Sequence, residues 1–302
     1  MAIVTESGPL PGKLPVSKDL DFYSKSERLF EKRNENISAT EAVALNDESI
    51  KFINTFTVEH TINNERRDHH RTYFDQVEGN GTKEIVVIGN SLARDLYFGV
   101  RSRMRNVYKR LTLFYISGIL PFQNNTRRNT SPKDFTDFVK NMNCTIDILV
   151  TGQAYKAVTV PPDDDYIRSQ MLGDLQNYYD QLAGLDVKLL VIPYAEHVID
   201  FTIEKYNQAV LLGTQRQLNY KHTQVHSLHT EAINKVIDKI KCKNCVKIDF
   251  YNSLCDPVED HCYVGQENGL AIYRDKAHTT IFGSIYFADA LSDRLKLSGV
   301  VE

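Results

Sequence analysis

Three side chains in this sequence have the types needed for nucleophilic catalysis. Asp275 and His278 stand three residues apart in "IYRDKAHTTIFGS" (272–284), where a loop is predicted to turn into a helix, and Ser91 follows an apolar run in "VVIGNSLARD". A serine hydroxyl becomes a strong nucleophile when a histidine removes its proton and a carboxylate orients that histidine. The pattern D-x-x-H also arises by chance, and a serine that begins a helix is a favoured N-cap. Ordinary surface and capping roles therefore stay open.

Five short β-rich runs alternate with amphipathic segments from residue 84 onward and would position these side chains. The runs are "EIVVIGN" (84–90), "LTLFYISG" (111–118), "TIDILVTG" (145–152), "VKLLVIPYA" (187–195) and "CVKIDFYN" (245–252). Nearly continuous apolar strands that alternate with helices indicate a parallel sheet covered on both faces. The sequence therefore predicts an α/β fold, a three-layer α/β/α sandwich with a five-stranded parallel sheet.

The C-terminal ends of the predicted strands carry the candidate site residues. In such sheets ligands bind beyond these strand ends. Ser91 follows the first strand at the N-terminus of a helix, whose free N–H groups can stabilise an oxyanion. Gly118 ends the second strand, where its backbone N–H can approach a substrate carbonyl, and Gln153 follows the third strand with its amide. Asp275 and His278 follow the fifth strand, so all five positions map to one rim of the sheet.

Residues 1–82 differ from the rest of the chain. Their opening is proline-rich and polar, and "SATEAVALNDESIKFINTF" has a helical apolar rhythm with Ser38 as a candidate N-cap. The next stretch, "TINNERRDHHRTYFDQVEGNGTKE", is polar, and its "GNG" marks a loop. We expect an extended and helical N-terminal segment over 1–82, either a linker or a strap, and the α/β domain over 83–302.

Charge and targeting signals restrict the class of protein. The net charge of −3 gives no sign of a nucleic-acid-binding protein. No apolar run reaches transmembrane length, and "MAIVTESGPLPGKLP" is not a signal peptide, which alone argues for a cytosolic protein. Five N-x-S/T sequons argue instead for the secretory pathway and predict N-glycosylation at Asn36, Asn80, Asn124, Asn129 and Asn143.

Five cysteines also favour an oxidising compartment. Cys255 and Cys262 bracket the polar loop "CDPVEDHC", and Cys242 and Cys245 form "CKNC". A C-x-x-C motif can belong to a redox site or to half of a zinc site, but a thioredoxin-like motif would open a helix, whereas this one closes a predicted helix. We expect disulfides 255–262 and 242–245, with Cys144 left over. The chain would then be the lumenal or extracellular part of a longer, membrane-anchored product.

Other clusters have metal-binding spacing. His222, His226 and His229 lie at i, i+4 and i+7 of a predicted helix, which can chelate zinc, and "PPDDDY" (161–166) resembles an acidic metal cluster. A polar helix face and a helix that begins with proline and aspartate explain both patterns without a metal. The sequence predicts no metal and no other cofactor, and a zinc-binding protein is kept as an alternative.

The first and last motifs together resemble the SGNH (GDSL-like) hydrolase superfamily. The similarity is closest to the SGNH domain C-terminal to type-3 membrane acyltransferases, and it covers about residues 83–298. "VIGNSLARD" matches the first motif of that family, and a cysteine pair such as 255–262 is typical upstream of the last. The residues that match the last motif are Tyr273, Asp275, His278 and Gly283.

The resemblance implies a flavodoxin-like SGNH hydrolase fold and assigns roles to the rim residues. Ser91 would be the nucleophile and His278 its general base, while Asp275 would orient the imidazole. The backbone N–H groups of Ser91 and Gly118 would form an oxyanion hole. These roles are carried over from the family onto the matching positions of this sequence.

The chain departs from the family pattern in two places. The usual G-D-S is here Gly89-Asn90-Ser91, which replaces a carboxylate with an amide. The usual G-x-N-D motif lacks its asparagine, which leaves Gln153 as a positional candidate for the missing oxyanion donor. Loss of one such donor can lower a rate by about a hundredfold or more.

Serine-dependent acyl transfer is therefore the leading interpretation. The domain would move a small acyl group, with acetyl as the first candidate, onto or off a hydroxyl of a carbohydrate or similar metabolite through an acyl-enzyme intermediate. It would act as an O-acyltransferase or an esterase, and the resemblance implies an integral-membrane acyltransferase domain as the partner that brings the acyl donor. The altered third motif supports the alternative of a catalytically silent SGNH-fold binding module.

Overall fold

A mostly parallel six-stranded sheet forms the centre of the protein. The computed structural model describes residues 27–59, 72–126, 130–155, 165–225, 227–256 and 258–301. The strands in chain order are β1 (Thr72–Glu78), β2 (Lys83–Gly89), β3 (Tyr108–Ile116), β4 (Ile146–Gly152), β5 (Val187–Pro193), β6 (Tyr220–Lys221), β7 (Cys245–Ile248), β8 (Cys255–Asp256) and β9 (His261–Cys262). The main sheet has the order β1-β3-β2-β4-β5-β7, in which β1 alone is antiparallel, and β6-β9-β8 form a small antiparallel sheet.

Helices cover both faces of the main sheet. They are α1 (Ala39–Glu59), α2 (Ser91–Arg103), α3 (Pro132–Lys140), α4 (Asp165–Ala183), α5 (Ile203–Leu211), α6 (His222–Val225), α7 (Leu228–Asp238) and α8 (Ile281–Leu297), with 3₁₀ helices at Lys32–Asn34, Gln215–Leu218 and Tyr251–Leu254. Successive strand residues point to opposite faces, so Val87 joins the core under α1, α2, α5 and α8, while Val86 joins the core under α3, α4 and α7. The predicted α/β/α sandwich is confirmed.

Within the described ranges, no helix combines the length and apolarity needed to cross a bilayer.

The prediction of a five-stranded, wholly parallel sheet is wrong by one strand. The additional strand β1 lies at the edge of the sheet, within a stretch for which the sequence predicts a polar loop. Its Tyr73 stacks on Tyr115 with ring centroids 4.3 Å apart, and Phe74 packs against Phe138. Only three consecutive residues of β1 are buried, so its apolar pattern is too short to predict a strand. The predicted division at residue 82 falls between β1 and β2, two strands of one sheet.

Two disulfides are present, at the predicted pairs. One joins Cys255 and Cys262 across the β8–β9 hairpin, and the other joins Cys242 and Cys245 immediately before β7. Among the described residues, Cys144 is the free cysteine. Because both C-x-x-C cysteines are paired with each other, their sulfurs are not available as thiolate ligands.

The predicted histidine helix is interrupted. His222 lies in α6, whereas His229 lies in α7, which begins after its N-cap Ser227. His226 lies outside the described residues, as do residues 161–164 of the acidic "PPDDDY" stretch. The i, i+4, i+7 spacing on a single helix is therefore not the arrangement in this fold.

Helix α1 is fixed to the domain by buried hydrogen bonds. The side chain of Asn46, fully buried, donates to Asn207 Oδ1 in α5 (2.9 Å) and accepts from the backbone N–H of Ala271 (2.8 Å). Ser49 Oγ accepts from the backbone N–H of Ile281 (3.2 Å). Since the segment between these two backbone groups contains the D-x-x-H motif, α1 braces the loop on which the candidate site depends.

Helices α2 and α8 pack closely and run parallel. A Cβ added at Gly99 would lie 1.9 Å from the carbonyl oxygen of Ser284. One turn further along both helices, Arg103 Nε donates to Asp289 Oδ1 at 3.0 Å. The contacts follow the same order along the two helices, so their N-termini lie at the same end.

Gly99→Ala is expected to lower the free energy of unfolding by about 1–3 kcal/mol, because the added methyl group would meet helix backbone that cannot move alone. Urea unfolding followed by circular dichroism measures the change. Gly173, exposed in α4 with nothing within 4 Å of its added Cβ, is the matched control. Gly173→Ala should instead stabilise the protein by about 0.4–1 kcal/mol. Equal effects of the two substitutions would contradict the close-packing argument.

Candidate active site

A tight turn after β2 places Ser91 at the start of α2. Gly89 has φ 146°, a conformation that L side chains rarely adopt, and a Cβ there would lie 1.9 Å from the carbonyl oxygen of Gly152. Glycine therefore lets the chain turn sharply at the strand end, so that Ser91 becomes the first residue of α2. Its half-buried side chain lies beside the N–H groups of the first helical turn, which favour negative charge.

Asn90 joins three strand-end loops at this point. Its buried side chain accepts from the backbone N–H of Leu92 (3.1 Å) and from that of Ala154 after β4 (3.2 Å). Its amide nitrogen donates to the carbonyl of Ile119 after β3 (3.0 Å). An aspartate, the usual residue of the family motif, could make the first two bonds but has no donor for the third. The amide is therefore suited to this particular turn.

His278 lies between Ser91 and Asp275. Its Nε2 atom is 2.7 Å from Ser91 Oγ, and its Nδ1 atom is 2.9 Å from each carboxylate oxygen of Asp275. With a proton on Nδ1 donated to the carboxylate, Nε2 is free to accept the serine proton. The arrangement can therefore activate the hydroxyl of Ser91 and stabilise the imidazolium that forms.

The carboxylate of Asp275 is held in its charged form. Its Oδ1 atom also accepts from the backbone N–H groups of Ala277 and His278, each at 3.0 Å. Partial burial raises the pKa of Asp275, but the hydrogen bond and charge of His278, together with these backbone donors, lower it by more, so the net pKa lies well below its ordinary value. At neutral pH this group is an acceptor for the imidazole.

A buried charge cluster behind the site fixes the backbone next to His278. Asp95, one helical turn after Ser91, accepts from the backbone N–H of Thr279 at 3.1 Å. Its other oxygen accepts from Arg94 at 2.9 Å and lies 3.6 Å from the guanidinium of Arg274. Asp95 is thus a positioning residue, and its place one helical turn after Ser91 is the pattern by which the sequence could have indicated it.

A pocket of about 210 Å³ opens beside the serine. Ser91, Gly118 and Ala154 line it together with residues of the loop after β3, including Asn124. Gly118 has φ 72°, so glycine is favoured at this turn. The structure thus brings Ser91 and Gly118, two of the predicted site residues, to one pocket.

Gln153 does not reach this pocket. Its side chain is buried, and its amide nitrogen donates to the hydroxyl of Tyr179 at 2.6 Å and to that of Tyr155. Because those contacts direct the amide into the core between β4 and α4, the prediction of Gln153 as an oxyanion donor is not supported by its placement. The neighbouring Ala154 lines the pocket instead and offers no polar side chain.

The predicted glycosylation sites differ in their surroundings. Asn36, Asn80 and Asn143 are exposed at the surface, and Asn129 lies outside the described residues. Asn124 is also exposed but lines the Ser91 pocket. A glycan on Asn124 would therefore stand at the mouth of the candidate site, whereas glycans on the other exposed positions would not line it.

One group of potential metal ligands occurs in the described part of the chain. A ring nitrogen of His197 and the sulfur atoms of Cys255 and Cys262 lie within 4.8 Å of one another. The two sulfurs are joined in a disulfide, and metal coordination by cysteine requires the thiolate. This group is a disulfide packed against a buried histidine.

Comparisons with known proteins identify the family of the chain and solved structures that resemble it. A family model described as the SGNH domain (fused to AT3 domains) matches residues 57–293. The periplasmic domain of a lipopolysaccharide acetyltransferase from Salmonella ser. Paratyphi A has a similar structure, with a TM-score of 0.54 at 12% identity over 92% of this chain and 98% of that one. The acetyl xylan esterase AlAXEase aligns with a TM-score of 0.33 at 16% identity over 70% of this chain and 99% of its own. No curated protein sequence matches the chain.

Asn90→Asp should destabilise the protein by about 1–3 kcal/mol, because the buried carbonyl of Ile119 would lose its donor and face a carboxylate. Urea unfolding gives the free-energy change. The matched control is Asn177→Asp on the exposed face of α4, where the side-chain oxygen accepts from Gln181; this change should stay within about 0.5 kcal/mol of wild type. If Asn90→Asp leaves the free energy of unfolding unchanged, the hydrogen bond to Ile119 contributes nothing to stability.

The stabilising effect of Asp275 should depend on pH. Its folded-state pKa lies below the ordinary value of 3.8, so its charge stabilises the folded state above that value, and the contribution is lost as the pH falls through the folded-state pKa. We expect the difference in free energy of unfolding between wild type and Asp275→Asn to be largest near neutrality. It should shrink as the pH is lowered from about 5 towards about 2. A difference that stays constant or grows in acid would refute the assignment.

Proposed function

The chain belongs to the family of SGNH domains fused to AT3 domains, and from this we propose that it transfers a small acyl group through a covalent intermediate on Ser91. The single observation that carries the proposal is the unbroken hydrogen-bond path from Asp275 through His278 to Ser91. A serine, a histidine and a carboxylate in this order are the groups that acyl transfer requires.

In the first half-reaction, Ser91 Oγ attacks the carbonyl carbon of the acyl donor while His278 Nε2 takes the hydroxyl proton. The tetrahedral intermediate carries its negative charge on the former carbonyl oxygen, and the backbone N–H groups of Ser91 and Gly118 are the proposed donors to it. The intermediate collapses when the bond to the leaving group breaks and the leaving group takes the proton from His278. The product is an ester between the acyl group and Ser91.

In the second half-reaction, an acceptor hydroxyl attacks the acyl-serine ester. His278 takes the acceptor proton and returns it to Ser91 Oγ as the ester bond breaks, so the serine is regenerated and the acceptor leaves acylated. If the acceptor is water, the product is a free acid. Esterase and transferase thus share the first half-reaction and differ only in which hydroxyl enters.

The dimensions of the pocket favour a small acyl group. Its volume of about 210 Å³ is below the range of about 300–1,000 Å³ typical of sites for drug-sized ligands. An acetyl group on Ser91 leaves room for one edge of the acceptor. We therefore propose acetyl as the transferred group and a carbohydrate hydroxyl as the acceptor.

The family description supports transfer with a membrane partner. Because these SGNH domains are fused to AT3 domains, an integral-membrane acyltransferase domain is the proposed source of the acyl group. The two disulfides favour an oxidising location, lumenal or extracellular. In that location the acceptor would be a carbohydrate of the lumen or of the cell surface.

A fluorophosphonate probe should label the protein at Ser91. We expect labelling to disappear in Ser91→Ala and His278→Ala, and hydrolysis of p-nitrophenyl acetate to fall by about a thousandfold or more in both. Ser298→Ala and His229→Ala, which change a serine and a histidine outside the pocket, are the matched controls and should label like wild type. A folded wild-type protein that takes no label would point instead to a catalytically silent binding module.

A further inference from the structure

A second cavity, of about 400 Å³, lies between α5, the 3₁₀ helix Gln215–Leu218 and the small sheet. It is separate from the Ser91 pocket, and no residue lines both. The residues that define it here are Tyr206, Gln215, Arg216, Tyr263, Gly265 and Gln266. We refer to it as the α5 cavity.

Three polar atoms of the α5 cavity residues have no hydrogen-bond partner among the described residues. They are the hydroxyl oxygen of Tyr206, the side-chain oxygen of Gln215 and the side-chain nitrogen of Gln266. Tyr206 is only 1% exposed, so its hydroxyl is shielded from bulk solvent. Buried polar groups are rarely left unpaired in a folded protein, and these three lie in residues around one cavity, where a bound molecule would be able to supply the hydrogen bonds.

The backbone is adapted to bring the Tyr206 hydroxyl to this wall. A Cβ added at Gly265 would lie 1.7 Å from the hydroxyl oxygen of Tyr206. Any side chain at that position would therefore displace the tyrosine. Burial raises the pKa of Tyr206 above its ordinary value, so the group stays protonated and able to donate.

The charges at the cavity disfavour an anionic ligand, because Glu259 lines it in addition to the ion pair of Arg216 and Glu267. Arg216 pairs with Glu267 at 2.8 Å, and both side chains are exposed at the mouth. The three unpartnered groups in the wall are uncharged: one phenol and two amides. Together they offer donors and acceptors, which is the pattern that sugar hydroxyls match because each can both donate and accept. The half-buried ring of Tyr263 adds an apolar surface.

The α5 cavity is connected to the catalytic segment through one short stretch of chain. Gly265 bridges to Ala271, and the backbone N–H of Ile272 donates to the carbonyl of Val264 at 2.8 Å. Asp275 follows three residues after Ile272. A ligand in the cavity would therefore contact Gly265, whose β-bridge partner Ala271 leads into the D-x-x-H loop.

We propose that the α5 cavity binds a neutral sugar unit of the acceptor, at a distance along the glycan from the hydroxyl that is acylated. The assignment rests on the proposed carbohydrate acceptor and deepens it, because it gives the acceptor a second point of attachment. Tyr206, Gln215 and Gln266 bind sugar hydroxyls, and Tyr263 contacts a ring face.

The test measures binding of maltohexaose and xylohexaose by isothermal titration calorimetry. The protein carries Ser91→Ala throughout, so that no acyl chemistry interferes. Tyr206→Phe and Gln266→Leu should each weaken binding of the sugar that binds by about fivefold to tenfold, the effect of one hydrogen bond. Tyr206→Phe removes an oxygen that has no partner in the described protein, so its fold should be kept, and an unfolding curve checks this.

Tyr178→Phe is the matched control. Tyr178 is also fully buried with an unpartnered hydroxyl, but it lies in the core on the opposite face of the sheet and does not line the α5 cavity. Its variant should bind the sugar as the parent protein does. Equal weakening by Tyr178→Phe and Tyr206→Phe overturns the proposal, because the effect would then be a general one of the core.

The outcome can be separated from that of acyl transfer. If the protein binds neither hexasaccharide, the α5 cavity assignment is overturned, whatever the fluorophosphonate probe shows on Ser91 of the wild type. If binding depends on Tyr206 but Ser91 of the wild-type protein takes no fluorophosphonate label, the result supports the cavity assignment and contradicts acyl transfer. Binding that is unchanged in both Tyr206→Phe and Gln266→Leu overturns the cavity and leaves acyl transfer standing.

Discussion

The parallel crossing of α2 and α8 is the constraint on which the candidate site depends. One helix begins at Ser91, and the other begins directly after the loop that carries His278. The 2.7 Å contact between these two side chains is therefore set by how the helices lie against each other. Gly99 permits the backbones to approach at Ser284. A slide of one helical turn, about 5.4 Å, would separate the serine from the histidine completely.

Buried polar groups convert this crossing into a defined geometry. Asn90 ties the ends of β2, β3 and β4, and Asp95 ties α2 to the backbone beside His278. Asn46 and Ser49 of α1 bind the backbone at the two ends of the loop that carries His278, at Ala271 and Ile281. Hydrogen bonds in a low-dielectric interior are strong, and leaving such groups unpaired is costly. The loop that carries Asp275 and His278 is thus held from the sheet rim and from α1 at once.

Whether a feature of the site could be predicted from the sequence depends on how far apart in the chain the residues that place it lie. Ser91 was identifiable because a strand end and a helix start are adjacent in the chain, and Asp275 and His278 because their spacing is local. The edge strand β1 was not, since its run of three buried residues is too short to show a strand pattern, and its aromatic residues pack against Tyr115 and Phe138, which are remote in the chain. Gln153 follows a strand end, yet the direction of its side chain is set by a hydrogen bond to Tyr179, which lies on a helix 26 residues later in the chain. Contacts between remote segments leave no periodicity that could have revealed them.

The C-terminal end of β4 has a consequence for the proposed chemistry. Its side chains supply no oxyanion donor, since Gln153 is turned towards tyrosines and Ala154 has a methyl group, while the backbone N–H of Ala154 already donates to Asn90. The proposed oxyanion hole therefore has two donors, the backbone N–H groups of Ser91 and Gly118, and lacks the third donor of the family motif, so more of the rate would have to come from positioning the acceptor. Binding energy from parts of an acceptor remote from its reacting hydroxyl can lower the barrier in this way. If the α5 cavity holds a sugar of the acceptor as proposed, that sugar would contribute such energy and water would not, so the proposal predicts transfer in preference to hydrolysis.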